Sequence, residues 1–449
     1  MVALVTVTLV IACASIAPAA GWHFREIIVD ENPLQPGRIT DVEIVDVDND
    51  GRLDLWYSGR AIKANERHFA WYRNTGNPQQ WQRCTPFLGS SIGASWGDVD
   101  RDGDMDLITA RDRGKQPLVW MENPVSHGAD PARSVWKVHK IHPDPEDPDE
   151  VHTTYIDAQG KVAVGLDMNR DGRLDIVIAA FKQTLWYVPG PKDPRKGPWQ
   201  FYKVAESNHG HGGARVADLN RDGDLDIVWG HCWYENPGDP TKVPWRGHTI
   251  DGGWPDECKI GVGDLDRDGR LDVVLTGEES NHGVAWYKNS GPAEGTWKKH
   301  MIVSNWEGLH SCQLADFDGD GDLDVFTAQM HGRPGQRVAV FENIEIQTNR
   351  WQQHIISSVG SHNAKVGDID GDGDPDIAGK NYEGDKRPRI WINDVHTGST
   401  PAGLGRPVLD SDNSSPIAGL GRDFGRGGTI NATLRLCHAG RFKEANNGF

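Results

Sequence analysis

The sequence predicts an all-β fold, a seven-bladed β-propeller of four-stranded antiparallel blades, and three observations carry that expectation. A loop of the form DxDxDGxxD recurs seven times, with successive first aspartates 52, 69, 51, 46, 52 and 52 residues apart. An aromatic strand follows each loop, usually ending at or near Asn, and a Trp-led strand follows most of these. Gly and Pro are abundant, 53 and 26 of 449 residues, above the roughly 12% of average usage. That favours tight turns over long helices.

The loops read DVDNDGRLD from Asp46, DVDRDGDMD from Asp98, DMNRDGRLD from Asp167, DLNRDGDLD from Asp218, DLDRDGRLD from Asp264, DFDGDGDLD from Asp316 and DIDGDGDPD from Asp368. A period near 50 is blade length. The aromatic strands are centred on Trp71-Tyr72, Trp120, Trp186-Tyr187, Trp233-Tyr234, Trp286-Tyr287, Phe341 and Trp391. Trp81, Trp136, Trp199, Trp245, Trp297 and Trp351 lead the strands that come next. Each unit thus offers four strands: one before the loop, one after it, the aromatic one and the Trp-led one. Radial repetition of such units protects sheet edges. Only six Trp-led strands follow an aromatic strand. The seventh, Trp22 to Ile28, stands near the N-terminus and is expected to complete the last blade, closing the ring. A parallel β-helix is excluded because its turns are far shorter than 50 residues.

Three segments follow: residues 1–20, 21–394 and 395–449. Residues 1–20 are uncharged, run apolar from Val2 to Ile11 and offer Ala17-Pro18-Ala19 for cleavage. They read as a signal peptide and imply a secreted or periplasmic protein. Val10-Ile11-Ala12-Cys13 half-resembles a lipoprotein box, which is disfavoured because almost no linker separates Cys13 from the first strand. Residues 395–449 carry AGLGR twice, lack Trp and any Asp loop, and read as a flexible low-complexity tail. The formal charge is −18, with 47 basic and 65 acidic residues and no Lys/Arg run. That excludes a nucleic-acid surface and disfavours an anionic membrane. No other stretch reaches membrane-spanning length. The five cysteines beyond Cys13 are too scattered for a disulfide framework. Oligomeric state is left open.

Carboxylates two residues apart on a tight loop converge on one point, and Gly at the sixth position permits the required turn. The expected ligands are Asp46, Asp48, Asp50 and Asp54; Asp98, Asp100, Asp102 and Asp106; Asp167, Asn169, Asp171 and Asp175; Asp218, Asn220, Asp222 and Asp226; Asp264, Asp266, Asp268 and Asp272; Asp316, Asp318, Asp320 and Asp324; Asp368, Asp370, Asp372 and Asp376. Hard oxygen donors suit Ca²⁺. Asx turns without metal are the competing reading, and an EF-hand fails for want of flanking helices. Seven Ca²⁺ would bring the charge from −18 to −4. Their expected role is structural.

On these loops the chain resembles the FG-GAP/VCBS repeat family over residues 22–394, although the literal FG…GAP residues are missing. The resemblance implies a propeller with Ca²⁺ in its Asp loops. The WYENP-type strands and a His-bearing segment before the inner strand are similar to the propeller domain of aldos-2-ulose dehydratases. That similarity implies elimination of water from a keto-sugar with a metal implicated. No cupin segment follows.

The segment entering each inner strand should lie near the axis, roughly 20 Å from the Asp loops at about 3.3 Å per residue. His211, His310 and His362 stand seven, six and six residues before their first Asp, Glu257 holds the matching place in the fifth unit, and His152 enters a longer loop in the third. Convergent His and carboxylate suit a His base with an orienting partner, or Zn²⁺ or another divalent cation at the central pocket. The competing reading is that such mouths are wet and tolerate His. Lys259, Arg215 and Lys365 either grip an anionic or hydroxyl-rich ligand or offset neighbouring carboxylates. Cys258 and Cys312 read as buried small hydrophobes. No G-x-S-x-G, P-loop or H-E-x-x-H is present. Two functions remain open: a carbohydrate-binding or carbohydrate-processing propeller of the carbon–oxygen lyase kind, and a noncatalytic adhesion or protein/glycan-binding module.

Overall fold

Seven Asp loops close seven antiparallel hairpins in the same way. In each, the ninth-position Asp opens the second strand and pairs with the residue just before the first Asp: Val45 with Asp54, Gly97 with Asp106, Leu166 with Asp175, Ala217 with Asp226, Gly263 with Asp272, Ala315 with Asp324 and Gly367 with Asp376. The sixth-position glycines hold φ between +79° and +100°, a conformation that disfavours any side chain.

The computed structural model describes residues 22–33, 39–59, 69–84, 94–109, 118–141, 161–179, 184–207, 209, 213–278, 280–291, 297–330, 335–381, 384–395, 408–409 and 416–417. They form seven four-stranded antiparallel blades plus a two-stranded pair, Val408–Leu409 with Pro416–Ile417. The inner strands are Ile39–Val45, Ala94–Gly97, Lys161–Leu166, Ala214–Ala217, Ile260–Gly263, Leu309–Ala315 and Lys365–Gly367. Strand order follows chain order in six blades. In the seventh, Phe24–Ile28 adds to Arg389–Asn393, so the N-terminal strand completes the ring as the sequence predicts. The chain divides into two compact units, Met1–Gly419 and Leu420–Phe449. Residues 1–20, expected to be a signal peptide, most of the expected tail 395–449 and the whole second unit lie outside the described residues. No helix among the described residues is long and apolar enough to cross a membrane.

Second strands such as Asp175–Ala179 and Asp272–Thr276 are buried at every position, because each blade is covered on both faces. The core therefore lies between blades. One cluster joins Val45, Trp56 and Trp71 of the first blade to Trp96, Leu107 and Trp136 of the second. Another joins Tyr187 and Val204 of the third to Trp229 and Trp245 of the fourth. The Trp-led strands thus contribute packing.

In four blades the Asn that ends the aromatic strand has a structural task. Asn123 Nδ2 donates to Met105 O in its own blade and, at 2.8 Å, to Val47 O in the preceding Asp loop. Asn74, Asn289 and Asn393 reach back to Ile369 O, Leu219 O and Phe317 O in the same way. Asn123→Ala is expected to orphan two buried carbonyls and lower stability by about 2–3 kcal/mol in denaturant titration. A loss below about 0.5 kcal/mol would show that the amide does not tie blades together.

Candidate functional site

The Asp loops line one face of the ring. Asp46 accepts from the amides of Asp50 at 3.1 Å and Gly51 at 2.8 Å, which curls the loop around its carboxylate. The ninth-position Asp is used differently. Asp54 is fully buried and accepts from the amides of Val47 and Asn74 and from the Trp71 indole. All seven ninth-position residues accept from the amide after the first Asp and from the amide ending the aromatic strand, Gly190 in the third blade. They join blade to loop, besides facing the other carboxylates.

These residues fit a hard divalent cation. Carboxylate oxygens of Asp46, Asp48 and Asp50, of Asp98, Asp100 and Asp106, of Asp264, Asp266 and Asp272, and of Asp316, Asp318 and Asp320 lie within 4.8 Å of one another. Asp48 Oδ1, Asp100 Oδ1 and Asp218 Oδ1 are buried without a hydrogen-bond partner among the described residues. Burial, with repulsion from Asp320, pushes Asp318 up to about 6, and burial pushes Asp54 up to about 8. Protein cations serve some loops: Arg73 lies 2.6 Å from Asp48, Arg195 pairs with Asp100, and Lys288 pairs with Asp266 and Asp268. Among the described residues none pairs with the seventh loop, where burial pushes Asp374 up to about 9.

Ionisable side chains also gather at the opposite ends of the inner strands. His310 is the second residue of its strand, where a connecting loop was expected, and is only 1% exposed. Its Nδ1 lies 2.9 Å from Glu278 Oε1, and Lys259 Nζ lies 3.1 Å from the same oxygen. The His362 ring stacks on His310 with centroids 4.9 Å apart. Side chains create this meeting. Ser311 Oγ accepts from the Ala364 amide at 2.9 Å and Gln313 Oε1 from the Val366 amide at 2.7 Å, so the sixth and seventh inner strands are locked in register. On the other side Thr276 Oγ1 donates to Leu309 O.

Of the five residues singled out for chemistry, His310 and His362 come together, Glu257 lies half-buried near the start of the fifth inner strand, and His211 and His152 lie outside the described residues. Lys259 and Lys365 face carboxylates, Lys365 standing 3.9 Å from Glu43. Cys258 and Cys312 are buried in apolar clusters.

FG-GAP-like repeat matches cover residues 46–109, 167–229, 264–327 and 316–379, together more than half of the chain. The chain belongs to the FG-GAP-like repeat family. Among solved structures it is similar to an exotype rhamnogalacturonan lyase, YesX, with 15% identity and TM-score 0.45 over 82% of this chain and 75% of that one. It is also similar to the Bacillus licheniformis rhamnogalacturonan lyase PL11, with 14% identity and TM-score 0.42 over 83% and 75%. BBS1N, solved in complex with ARL6DN, has 12% identity and TM-score 0.51 over 85% and 99%. At these identities likeness concerns the fold alone. No curated protein matches the sequence.

The FG-GAP repeats place each blade but do not mark the residues that face His310. Glu278 was missed because it follows the second strand, in a Thr-Gly-Glu-Glu run that reads as an ordinary turn. Lys380 was missed for a similar reason. It is 2% exposed, and its Nζ has no hydrogen-bond partner among the described residues. Burial, with the nearby Lys386 charge, holds its amine well below the usual lysine range. Its carbonyl accepts from the His362 amide.

Proposed function

We propose that this is an exported, Ca²⁺-stabilised propeller that binds a carbohydrate at the His310 end of its axis and acts there as a carbon–oxygen lyase. The observation that carries the reading is the buried cluster of His310, Glu278, Lys259 and His362. Burying several ionisable groups together is costly, and such groups collect where chemistry needs them. Glu278 beside Nδ1 orients the imidazole, leaving Nε2 to take a proton alpha to a carbonyl. The imidazolium so formed is stabilised by the same carboxylate. As the C–H and C–O bonds break a C=C bond forms, and the departing oxygen takes a proton from the neighbouring His362, leaving as water. Lys259 brings a positive charge beside Glu278 within the cluster. Ca²⁺ in the Asp loops would neutralise carboxylates, with no part in the reaction.

A panel of keto-, anhydro- and uronate sugars, read by ultraviolet absorbance of unsaturated products, tests this. His310→Gln and Glu278→Gln are expected to lower kcat/KM by at least ~100-fold, the usual scale for a lost general base. Glutamine is chosen because both positions are buried, so alanine would leave uncompensated polar groups and cost stability. Asp318→Ala, in an Asp loop, is expected to lower stability and spare turnover. If no sugar reacts or binds while the intact ring captures a protein partner, the adhesion-module reading replaces this one.

A further inference from the structure

A second cluster, between the fourth and fifth blades, takes no part in the proposed reaction. The second strand of the fourth blade, Asp226–Trp229, turns back through Gly230 and His231 into Cys232–Glu235. This turn lies at the end of the strand away from the Asp loop. His209, from the segment preceding the inner strand, packs against it: its ring stands 4.9 Å from that of His231 and 5.0 Å from that of Trp229. One donor atom from each of His209, His231 and Cys232 falls within 4.8 Å of the others. Asp256, entering the fifth blade, places Oδ1 3.1 Å from His209 Nδ1 and 3.7 Å from His231 Nδ1.

From this geometry we infer that His209, His231 and Cys232 form a binding site for a transition-metal dication of the Zn²⁺ type, with Asp256 orienting the His209 imidazole. Nitrogen and sulfur donors select a borderline metal over Ca²⁺, which prefers the all-oxygen loops on the other face. Bond lengths of about 2.0 Å to nitrogen and 2.3 Å to sulfur place tetrahedral donors about 3.3–3.5 Å apart. The donors, within 4.8 Å of one another, would close the remaining distance by small side-chain rotations on binding. A carboxylate against the second imidazole nitrogen is the usual device for fixing tautomer and ring orientation at such a metal.

Two further observations fit the assignment. Gly230 sits at φ +61°, and a Cβ there would come within 2.5 Å of the His209 ring, so only glycine leaves the imidazole its place beside the turn. His209 is 3% exposed, so its imidazole is held inside the cluster and not in solvent.

Titration of the full chain with Co²⁺, with excess Ca²⁺ present to occupy the Asp loops, tests the site. The expected result is one equivalent of Co²⁺ bound with a near-ultraviolet thiolate-to-cobalt charge-transfer band that Zn²⁺ abolishes. Cys232→Ser should remove that band, and Asp256→Asn should weaken binding by about 10–100-fold. Cys232 is half-buried and Asp256 half-exposed, so both variants are expected to fold. As a second measurement, Zn²⁺ should slow labelling of Cys232 by a thiol reagent. Absence of the band, its persistence in Cys232→Ser, or labelling indifferent to Zn²⁺ would each overturn the assignment.

Discussion

Removal of residues 22–30 is expected to prevent formation of a stable ring, while removal of residues 400–449 leaves the melting temperature close to that of the full chain. The N-terminal strand pairs residue for residue with Arg389–Asn393, whose Ile390, Trp391 and Ile392 are fully buried. Glu26 accepts from the Trp391 indole at 3.0 Å and from Arg389 Nε at 2.9 Å, and Asp30 accepts from the Tyr72 hydroxyl of the first blade. Trp22 and Phe24 pack against Phe317 of the sixth blade, while Ile27 and Val29 pack with the first. One segment thus ties the two ends of the ring together. Its loss exposes an apolar strand edge, which promotes aggregation. The expected cost is several kcal/mol out of the roughly 5–15 typical of a folded chain, with the melting temperature down by about 10 °C or more. Soluble yield and thermal melts of both truncations check this. Greater damage from the tail deletion would show that closure by the N-terminal strand is not what holds the ring.

Chelation of Ca²⁺ is expected to lower the melting midpoint just as strongly. The loops concentrate carboxylates that burial already pushes upward, so ionising them without a cation opposes folding. A single site saturated at about 1,000 times its dissociation constant contributes about 4 kcal/mol, and several sites act together. The effect should be uneven. Arg73, Arg195 and Lys288 partly supply the missing charge at the first, second and fifth loops, whereas the seventh has no paired cation among the described residues. Asp370→Ala should therefore lose more of its Ca²⁺-dependent stabilisation than Asp48→Ala. Melts with and without chelator, for the parent and both variants, test this, and an unchanged parent midpoint would remove the structural-ion reading.

Blade number, the strand on either side of every Asp loop and closure by the Trp22–Ile28 strand were all legible in the residues themselves. Each rests on a demand that a few neighbouring residues meet alone: glycine where φ is positive, an apolar run where both faces are covered, a turn every fifty residues. The recurring Asn was visible as a pattern, but its bond to the preceding blade was not. Tertiary structure decided what meets what across blades. His310 and His362 stand 52 residues apart, and their stacking depends on Ser311 and Gln313 bonding the next inner strand. Glu278 becomes a partner of His310 only because the fifth and sixth blades close at that angle, and His209 reaches the Gly230 turn for the same kind of reason. Such contacts depend on ring geometry and side-chain registry, which leave no period in the sequence. The repeat therefore announces the scaffold, and its departures from periodicity take on chemical meaning only once the ring is closed.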